Sequence, residues 1–386
     1  MSPSAPSGLT FKGPIYQNAG YASAARQFFW ALHGETSTPA LHLQSLRWNS
    51  GTLTDLPRDM YLQLKAYEKA PVSPDYALLH WSIASEFEGR GPYSTAIGHT
   101  IFETHSLLKS FVVGCNRMDH LIVPTAFHQQ AFTNAGVTTP IHVVPEGVDT
   151  ERFQPIGPTL EHVPERFTFL FVAQVSYRKS IDLVLEAFLE LFQQHEDVQL
   201  VLRCYLRDGG PEDQAEIKKI VQVFREKKNW SGGNILLLDN VPEQHLPAMY
   251  RSAHVLLAPF RGEGWGLPII EAQACEVPVI VTGWGGPMAY LTEETAYLLP
   301  FELRPIPSDI PDYFLGSAMQ AAREEGHLLA EPALDALKYT MWDAYKNYFL
   351  HKARATAARD HVHRNFRWQH AAQKFMHEVW PLLKNR

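Results

Sequence analysis

Short apolar runs alternate with longer segments of helical spacing along most of this chain. In the first half, the apolar runs predict strands over residues 9–15, 76–81, 96–102, 120–124 and 141–144. Apolar residues at helical spacing predict helices over 23–32 and 125–136. Strands and helices in alternation are typical of a parallel sheet with right-handed crossover connections.

The same alternation restarts in the second half. Residues 167–173 form a continuous apolar run, as parallel strands that are buried on both faces do. Further strands are predicted over 198–204, 234–238, 255–258 and 277–282, with helices over 182–194, 215–227 and 244–252 between them. Residues 331–386 are predicted to be mostly helical.

A proline-rich segment separates the two alternating halves. Residues 145–167 contain four prolines and no helical period, which indicates a linker. We therefore predict an α/β protein of two Rossmann-like domains facing a central cleft.

Composition narrows the function classes. Of 386 residues, 45% are hydrophobic and 19% charged, which is typical of globular domains. A net charge of -7 gives no general attraction to nucleic acid. The three scattered cysteines fit a reducing compartment, and no apolar run is long enough to span a membrane, so we expect a cytoplasmic protein. The 18 histidines lack zinc-type spacing, so no metal site is predicted.

A glycine-rich turn at 262–266 carries the strongest chemical signal. It holds Glu263, and seven residues separate this glutamate from Glu271 on the helix that follows. Glycines allow close backbone approach to a ligand, and a helix start favours an anion such as phosphate. The alternative is a tight strand-to-helix turn with Glu271 solvated. Because open α/β sheets bind ligands beyond the carboxyl ends of their strands, the turn after 255–258 is well placed for a site.

A second candidate segment follows the strand at 167–173. It carries Arg178 and Lys179, which could stabilise negative charge on a departing diphosphate. A solvated basic turn is the alternative. Position favours the functional interpretation, because this loop should face the same cleft as the glutamate turn.

These motifs together resemble the retaining glycosyltransferases of family GT4, which have the GT-B fold and an E-x7-E motif. The resemblance is specific over residues 98–149 and 167–300. It implies that Glu263 lies near the donor sugar and that Glu271 binds the ribose hydroxyls. It also implies that backbone amides of the turn hold the diphosphate, here those of Gly264, Trp265, Gly266 and Leu267.

The chain departs from the family pattern in two places. The usual arginine before the lysine is Gln174 here, and Arg178 is its candidate substitute. Many members have a histidine at the end of the strand that is predicted here over residues 96–102. This sequence resembles a subgroup with Phe-Glu-Thr there, which makes Glu103 the candidate facing group and His99 or His105 its competitors. Gly20 occupies the place of the family's first glycine loop.

The resemblance implies an N-terminal acceptor-binding domain over 1–155, onto which a C-terminal helix at 366–386 crosses back, and a donor-binding domain over 156–365. The expected reaction moves a hexose, of mannose or glucose type, from a nucleoside-diphosphate sugar to a glycan or lipid-linked acceptor, with no metal or other cofactor. GDP-mannose is the favoured donor and UDP-glucose the next. Weak peripheral membrane contact is left open.

Two competing functions are weighed against this one. An NAD-dependent dehydrogenase would need a Gly-x-Gly-x-x-Gly fingerprint, and neither the glycines at 262–266 nor those at 283–286 have that spacing. A non-catalytic protein of the same fold would bind the sugar nucleotide without transferring it. The presence of Glu263, Glu271 and Lys179 together argues against it.

Overall fold

The chain divides into two compact units. The computed structural model describes residues 5–48, 56–207, 210–230, 234–239 and 241–383. The first unit comprises Met1–Gly147 with Phe366–Arg386, and the second comprises Val148–Asn365. The last residues of the predicted C-terminal helix, 384–386, lie outside the described part of the chain.

The first unit contains a parallel six-stranded sheet. Its strands are β1 (Gly8–Gly13), β2 (Ala40–Ser45), β3 (Ala77–Trp81), β4 (Thr95–His99), β5 (His120–Val123) and β6 (Ile141–Val143). They lie in the order β2-β1-β3-β4-β5-β6. The helices are α1 (Gly20–Gly34), α2 (Arg58–Glu68), α3 (Lys109–Cys115) and α4 (Ala126–Asn134). The strand order reverses between β1 and β3, which is where such sheets bind ligands.

The second unit contains another parallel six-stranded sheet. Its strands are β7 (Phe167–Gln174), β8 (Val198–Tyr205), β9 (Ile235–Leu237), β10 (Val255–Ala258), β11 (Val279–Thr282) and β12 (Tyr297–Leu299). Their order is β12-β11-β10-β7-β8-β9. The chain adds β8 and β9 on one side of β7 and then β10 to β12 on the other, so the strand order reverses between β7 and β10. A separate antiparallel pair joins β13 (Phe301–Pro305) to β14 (Leu328–Pro332).

Helices cover the second sheet because their apolar faces pack against its strands. They are α5 (Ile181–Leu191), α6 (Pro211–Lys227), α7 (Leu246–Arg251), α8 (Leu267–Ala274), α9 (Asp312–Leu315), α10 (Ser317–Glu324), α11 (Leu334–Lys346) and α12 (Tyr348–Asn365). Leu185 and Phe188 of α5 are fully buried in one core with Phe169 and Leu200 of the strands. Burial of such side chains stabilises the unit by roughly 1.5–3 kcal/mol for each.

The C-terminal segment returns to the first unit. Helix α13 (Trp368–Lys374) packs against α1. Just beyond α13, the ring of Phe375 meets Phe28 edge to face with 5.9 Å between the centroids. Gly147 lies so close that a Cβ there would be 2.5 Å from the backbone nitrogen of Trp368. This close packing holds the end of the chain against the first unit.

The predicted pair of Rossmann-like α/β domains is confirmed, and several elements differ from prediction. Strand β4 ends at His99, whereas the prediction carried it to residue 102. Strand β2, helices α2 and α3, and the antiparallel pair had no predicted counterpart. Strand β2 has a mixed burial pattern and α2 buries few residues, so their apolar periodicity is weak.

The predicted linker is irregular but well bonded. Arg251 of α7 donates to the carbonyls of Pro158 and Gln154, at 2.9 and 3.0 Å. The backbone N–H of Leu160 donates to the hydroxyl of Ser252 at 2.8 Å. The residues that follow Val148 are therefore bound to the second unit through α7, and the prolines mark an ordered segment.

Candidate functional site

Two of the predicted motifs meet where the strand order of the second sheet reverses. Strands β7 and β10 are neighbours at this point, and the loops after them carry Lys179 and Glu263. The carboxyl ends of parallel strands lie at one edge of a sheet, so both loops reach the same region.

The ammonium group of Lys179 contacts the carboxylate of Glu263 directly. Both side chains are largely buried, with 18% and 12% of their areas exposed. Burial by itself would raise the pKa of Glu263, but Lys179 and then Arg178 outweigh it and lower that pKa. The N–H of Gly264 also donates to this carboxylate, at 3.1 Å. Glu263 is therefore held as an ionised carboxylate that can accept hydrogen bonds from hydroxyl groups.

Arg178 ties the two loops together through their backbones. Its guanidinium donates to the carbonyl of Gly262 at 2.7 Å, and the N–H of Arg261 donates to the carbonyl of Arg178 at 2.7 Å. Gln174, which stands at the place of the usual arginine, is exposed and donates to the carbonyl of Leu206 at 2.8 Å. The structure thus puts Arg178 against the glutamate turn and directs the Gln174 amide to another loop.

Sequence reasoning missed a cluster of charged residues around the buried Arg261 beneath these loops. Arg261 has only 4% of its side chain exposed and donates to both oxygens of Asp182, at 2.9 and 2.7 Å. It also donates to both oxygens of Glu331, at 2.6 and 3.0 Å. Its guanidinium lies over the ring of Tyr177, 4.0 Å from the centroid. We call Arg261, Asp182 and Glu331 the arginine clamp; it fixes the residues next to Glu263 and Lys179.

Helix α8 begins at the glutamate turn. Gly266 precedes it with a φ of 85°, a left-handed conformation that suits glycine, and Pro268 occupies the first turn. The backbone of Gly264, Trp265, Gly266 and Leu267 lies at this positive helix end, which favours an anion. The Trp265 ring is buried beside Tyr290, so this residue can offer a ligand its backbone but not its ring.

The loop after β11 packs against the backbone of the glutamate turn. The N–H of Gly286 donates to the carbonyl of Glu263 at 3.0 Å. A Cβ on Gly286 would lie 1.5 Å from the carbonyl oxygen of Gly264, which is impossible without displacement of the turn. The glycine at 286 is therefore required by close backbone packing.

Glu271 belongs to a different electrostatic environment. Its carboxylate accepts a hydrogen bond from the hydroxyl of Tyr250 at 2.7 Å. Burial raises the pKa of Glu271 to about 7, although the Tyr250 hydrogen bond and the charge of Arg152 oppose this rise. Arg152 itself lies 3.5 Å from the carboxylate of Glu243. Two glutamates on one motif thus differ: Glu263 is held ionised, whereas Glu271 titrates near neutrality.

The remaining predicted site residues lie in the first unit. Gly20 is the first residue of α1, and the next residue, Tyr21, donates its hydroxyl to the carbonyls of Ser82 and His99, at 2.9 and 3.2 Å. Glu103 is half-buried in the loop after β4. Because Tyr21 bonds to the last residue of β4, the loop that carries Glu103 begins close to the start of α1.

The two histidines that competed with Glu103 differ in position. His99 is buried and stacks on Trp81 with 3.4 Å between the ring centroids. Its Nε2 lies 3.7 Å from the carboxylate of Glu146. Burial, and then the proximity of His128, lower the pKa of His99, which keeps the ring neutral. His105 is exposed in the same loop as Glu103. These surroundings favour a packing role for His99.

Within the described residues, no group of three or more His, Cys, Asp or Glu side chains is arranged to hold a metal ion. None of the helices in the described ranges is long and apolar enough to cross a membrane.

The second unit carries a recognisable family signature. Residues 156–302 match the family described as "Glycosyl transferases group 1". The chain is 32% identical over 158 residues to a D-inositol 3-phosphate glycosyltransferase of Corynebacterium jeikeium; the match covers 39% of this chain and 37% of that protein. The chain spans about a third of the length of the curated relatives that it matches.

Solved structures resemble almost the whole chain. Sucrose-phosphate synthase from Thermosynechococcus elongatus superposes with a TM-score of 0.65 at 18% identity and covers 97% of this chain and 99% of that one. The Anabaena protein Alr3699/HepE, solved in complex with UDP-glucose, gives a TM-score of 0.64 at 14% identity, covering 97% and 100%. At these identities the likeness shows the fold, and the predicted GT-B class with two Rossmann-like domains is confirmed.

The fold and the matched segment thus define a GT-B protein whose second unit carries the group 1 glycosyl transferase signature. The comparisons support the predicted glycosyltransferase family at this level. They do not reach the predicted subgroup, the E-x7-E motif or the stereochemistry, all of which stay predictions.

Proposed function

We propose that this protein is a retaining glycosyltransferase that moves a hexose from a nucleoside-diphosphate sugar to a hydroxyl of a glycan or lipid-linked acceptor. The observation that carries the proposal is the contact between Lys179 and Glu263 at the reversal point of the second sheet. Beside it lie Arg178 and the start of α8, which supply positive charge and backbone N–H groups. This arrangement suits a ligand that carries a diphosphate and a sugar.

The proposed chemistry uses these groups for different parts of the donor. The bond between the anomeric carbon and the diphosphate oxygen breaks, and its electron pair leaves with the nucleoside diphosphate. The acceptor oxygen bonds to the anomeric carbon and loses its proton. Arg178 and Lys179 stabilise the charge that grows on the diphosphate, an effect worth about 2.7–4 kcal/mol for one well-placed donor. Glu263 accepts hydrogen bonds from the sugar hydroxyls, and Glu271 from the ribose.

Glu103 and Gly20 are proposed to act on the acceptor side. Glu103 lies half-buried in a loop of the first unit, where a carboxylate could orient an acceptor hydroxyl or take its proton. Gly20 would allow close approach of a ligand to the start of α1. No metal is proposed to take part, because Arg178 and Lys179 would neutralise the diphosphate.

GDP-mannose is proposed as the first donor to test and UDP-glucose as the second. A solved structure of the same fold holds UDP-glucose, which supports the donor class without choosing the sugar. Unfolding should be followed with GDP, UDP and ADP added separately. A nucleotide at 100 times its Kd stabilises the protein by about 2.7 kcal/mol, so the correct base should stand out. If no nucleotide raises the unfolding temperature, the proposal is wrong.

Transfer itself should then be measured with the matching donor sugar, with and without EDTA. We expect nucleoside diphosphate release in both cases and a product with the anomeric configuration of the donor by NMR. An inverted product would contradict the retaining assignment, and loss of transfer with EDTA would contradict metal independence. Tight nucleotide binding with no transfer or hydrolysis of any donor would support the non-catalytic alternative.

A further inference from the structure

One buried side chain of the second unit bonds to the chain on both sides of Lys179. Before the lysine, the guanidinium of Arg261 donates to the carbonyl of Tyr177 at 2.9 Å. After the lysine, it donates to the hydroxyl of Ser180 at 3.3 Å and to both carboxylate oxygens of Asp182, at 2.9 and 2.7 Å. Arg261 therefore fixes the segment from which the lysine side chain extends.

Ser180 has a backbone conformation that is unfavourable for its residue type. Its φ of 61° and ψ of 39° lie in the left-handed region, where a Cβ crowds the following carbonyl oxygen and glycine is preferred. Ser180 is fully buried and lies between the short 3-10 turn Tyr177–Lys179 and the first residue of α5. The direction of Lys179 thus depends on a turn that its own residue type does not favour.

The hydrogen bonds of Arg261 use the full donor capacity of a guanidinium. Its Nε donates to Glu331, and its Nη2 donates to Glu331 and to Asp182. Its Nη1 serves Asp182 and the carbonyl of Tyr177. A guanidinium has five N–H donors in a fixed plane, whereas a lysine ammonium has three on one nitrogen. Lysine has the same charge but cannot reproduce this set of contacts.

The backbone of Arg261 also fixes the start of the glutamate turn. Its N–H donates to the carbonyl of Arg178 at 2.7 Å, and its carbonyl accepts from the N–H of Ala330 at 2.9 Å. Glu263 follows two residues later, and its carboxylate contacts the ammonium of Lys179. The position of the lysine relative to the glutamate therefore depends on Arg261.

We propose that Arg261 is a positioning residue of the transfer reaction: it holds Ser180 in the left-handed conformation and thereby directs the ammonium of Lys179 towards the diphosphate. This inference rests on the proposed function, in which Lys179 stabilises charge on that group. A glycine at position 180 adopts the left-handed conformation without support. The effect of replacing Arg261 should therefore depend on which residue stands at 180.

The test measures nucleoside diphosphate release from GDP-mannose and from UDP-glucose by the full chain. Arg261→Lys, which keeps the charge and removes the five-donor array, is made in the unaltered chain and together with Ser180→Gly or Ser180→Ala. Alanine is the matched control for glycine, because both lack the hydroxyl and only glycine favours the left-handed region. Arg304→Lys controls for the arginine substitution, since Arg304 is exposed. Circular dichroism establishes that each variant is folded at the assay temperature.

We expect Arg261→Lys to lower kcat about tenfold or more with a smaller change in KM, because a displaced charge-stabilising group loses transition-state stabilisation. This loss should be at least about threefold smaller with Ser180→Gly than with Ser180→Ala. Arg304→Lys should keep the kcat of the unaltered chain. A role in stability alone would lower the unfolding temperature and leave the kcat of the folded protein unchanged.

The proposal is overturned if folded Arg261→Lys keeps the kcat of the unaltered chain, or if glycine and alanine at 180 give the same loss. Should Arg261→Lys not fold, Asp182→Asn takes its place under the same criteria. This variant removes the carboxylate charge that Arg261 holds on the lysine segment and leaves the pair with Glu331.

Failure of the proposed function gives a different result. If the unaltered chain is active and Arg261→Lys is equally active, only the assignment of Arg261 is wrong. If the unaltered chain releases nucleoside diphosphate from neither donor, the proposed function is wrong, and calorimetric titration with GDP and UDP decides the positioning role. Arg261→Lys should then weaken the nucleotide that binds, and more so with Ser180→Ala than with Ser180→Gly. If neither nucleotide binds the unaltered chain, both proposals are wrong.

Discussion

The two sheets differ in how the buried polar side chains near the carboxyl ends of their strands are paired. In the second unit, charged groups are bonded to one another: Lys179 to Glu263, and Arg261 to two carboxylates. In the first unit, the ring nitrogens of His80 and His99 are buried and have no hydrogen-bond partner among the described residues. Both sheets have the same parallel architecture, so the strand arrangement does not cause the difference.

The contrast concerns whether buried polar groups are already paired with one another. Prearranged charges in a buried setting stabilise a developing anion without reorganisation, which suits a diphosphate leaving group. A buried polar group left unbonded costs about 1–3 kcal/mol, a cost that a ligand can offset on binding. The charged groups of the second unit are thus paired with one another, whereas the ring nitrogens of His80 and His99 have no such partner among the described residues.

The largest effect should come from breaking the arginine clamp. Arg261→Met removes the buried partner of Asp182 and Glu331, whose own side chains are partly exposed. We therefore expect the free energy of unfolding to fall by about 3 kcal/mol, from about 1.5 kcal/mol for each of the two charged pairs. Arg304→Met is the matched control, because Arg304 pairs with Glu302 at 2.7 Å but both side chains are exposed. Because that pair is exposed to solvent, its loss should leave the unfolding transition nearly unchanged.

Chemical denaturation, followed by circular dichroism, measures both variants. Equal losses in Arg261→Met and Arg304→Met would show that the clamp is no better than a surface ion pair. The paired charges of the second unit would then contribute no more to its free energy of unfolding than exposed ion pairs do.

A smaller, pH-dependent effect is expected at Glu271. Its pKa rises from an ordinary 4.5 to about 7 on folding, mainly through burial. A raised pKa means that the stability is fully present below pH 4.5 and is lost as pH rises through 7. The total loss is at most about 3 kcal/mol, from 1.36 kcal/mol for each pH unit.

Glu271→Gln should remove this pH dependence, because an amide does not ionise. Denaturation at several pH values from 4 to 8 should show the variant gaining stability relative to the unaltered chain between about pH 4.5 and 7, with no further gain above that range. An unchanged pH profile would place the Glu271 carboxylate in contact with solvent. It would also remove the difference in charge state between the two glutamates of the motif.

The sequence predicted those features that depend on local pattern. Continuous apolar runs such as 167–173 identified the parallel strands, and the glycines and Pro268 identified the turn that begins α8. The loops that carry Lys179 and Glu263 were predicted to face the same cleft, and the structure brings the two side chains into contact.

Features that depend on tertiary contacts were out of reach. Nothing in the local sequence distinguishes Arg261 from other polar loop residues. Its partners Asp182 and Glu331 are distant along the chain and meet it only in the folded structure. Tyr250, the partner of Glu271, lies on a short helix with no local signal of that role.

The central claim is that the charged end of the second sheet transfers a hexose from a nucleoside-diphosphate sugar. The most direct measurement is the rate of nucleoside diphosphate release and glycoside formation by the unaltered chain and by Glu263→Gln, with the donor chosen by the nucleotide screen. The substitution keeps the shape of the side chain and removes its charge. We predict transfer by the unaltered chain and a loss of about 10²–10³ in kcat for the variant, with the unfolding transition retained. Full activity in Glu263→Gln would contradict the account.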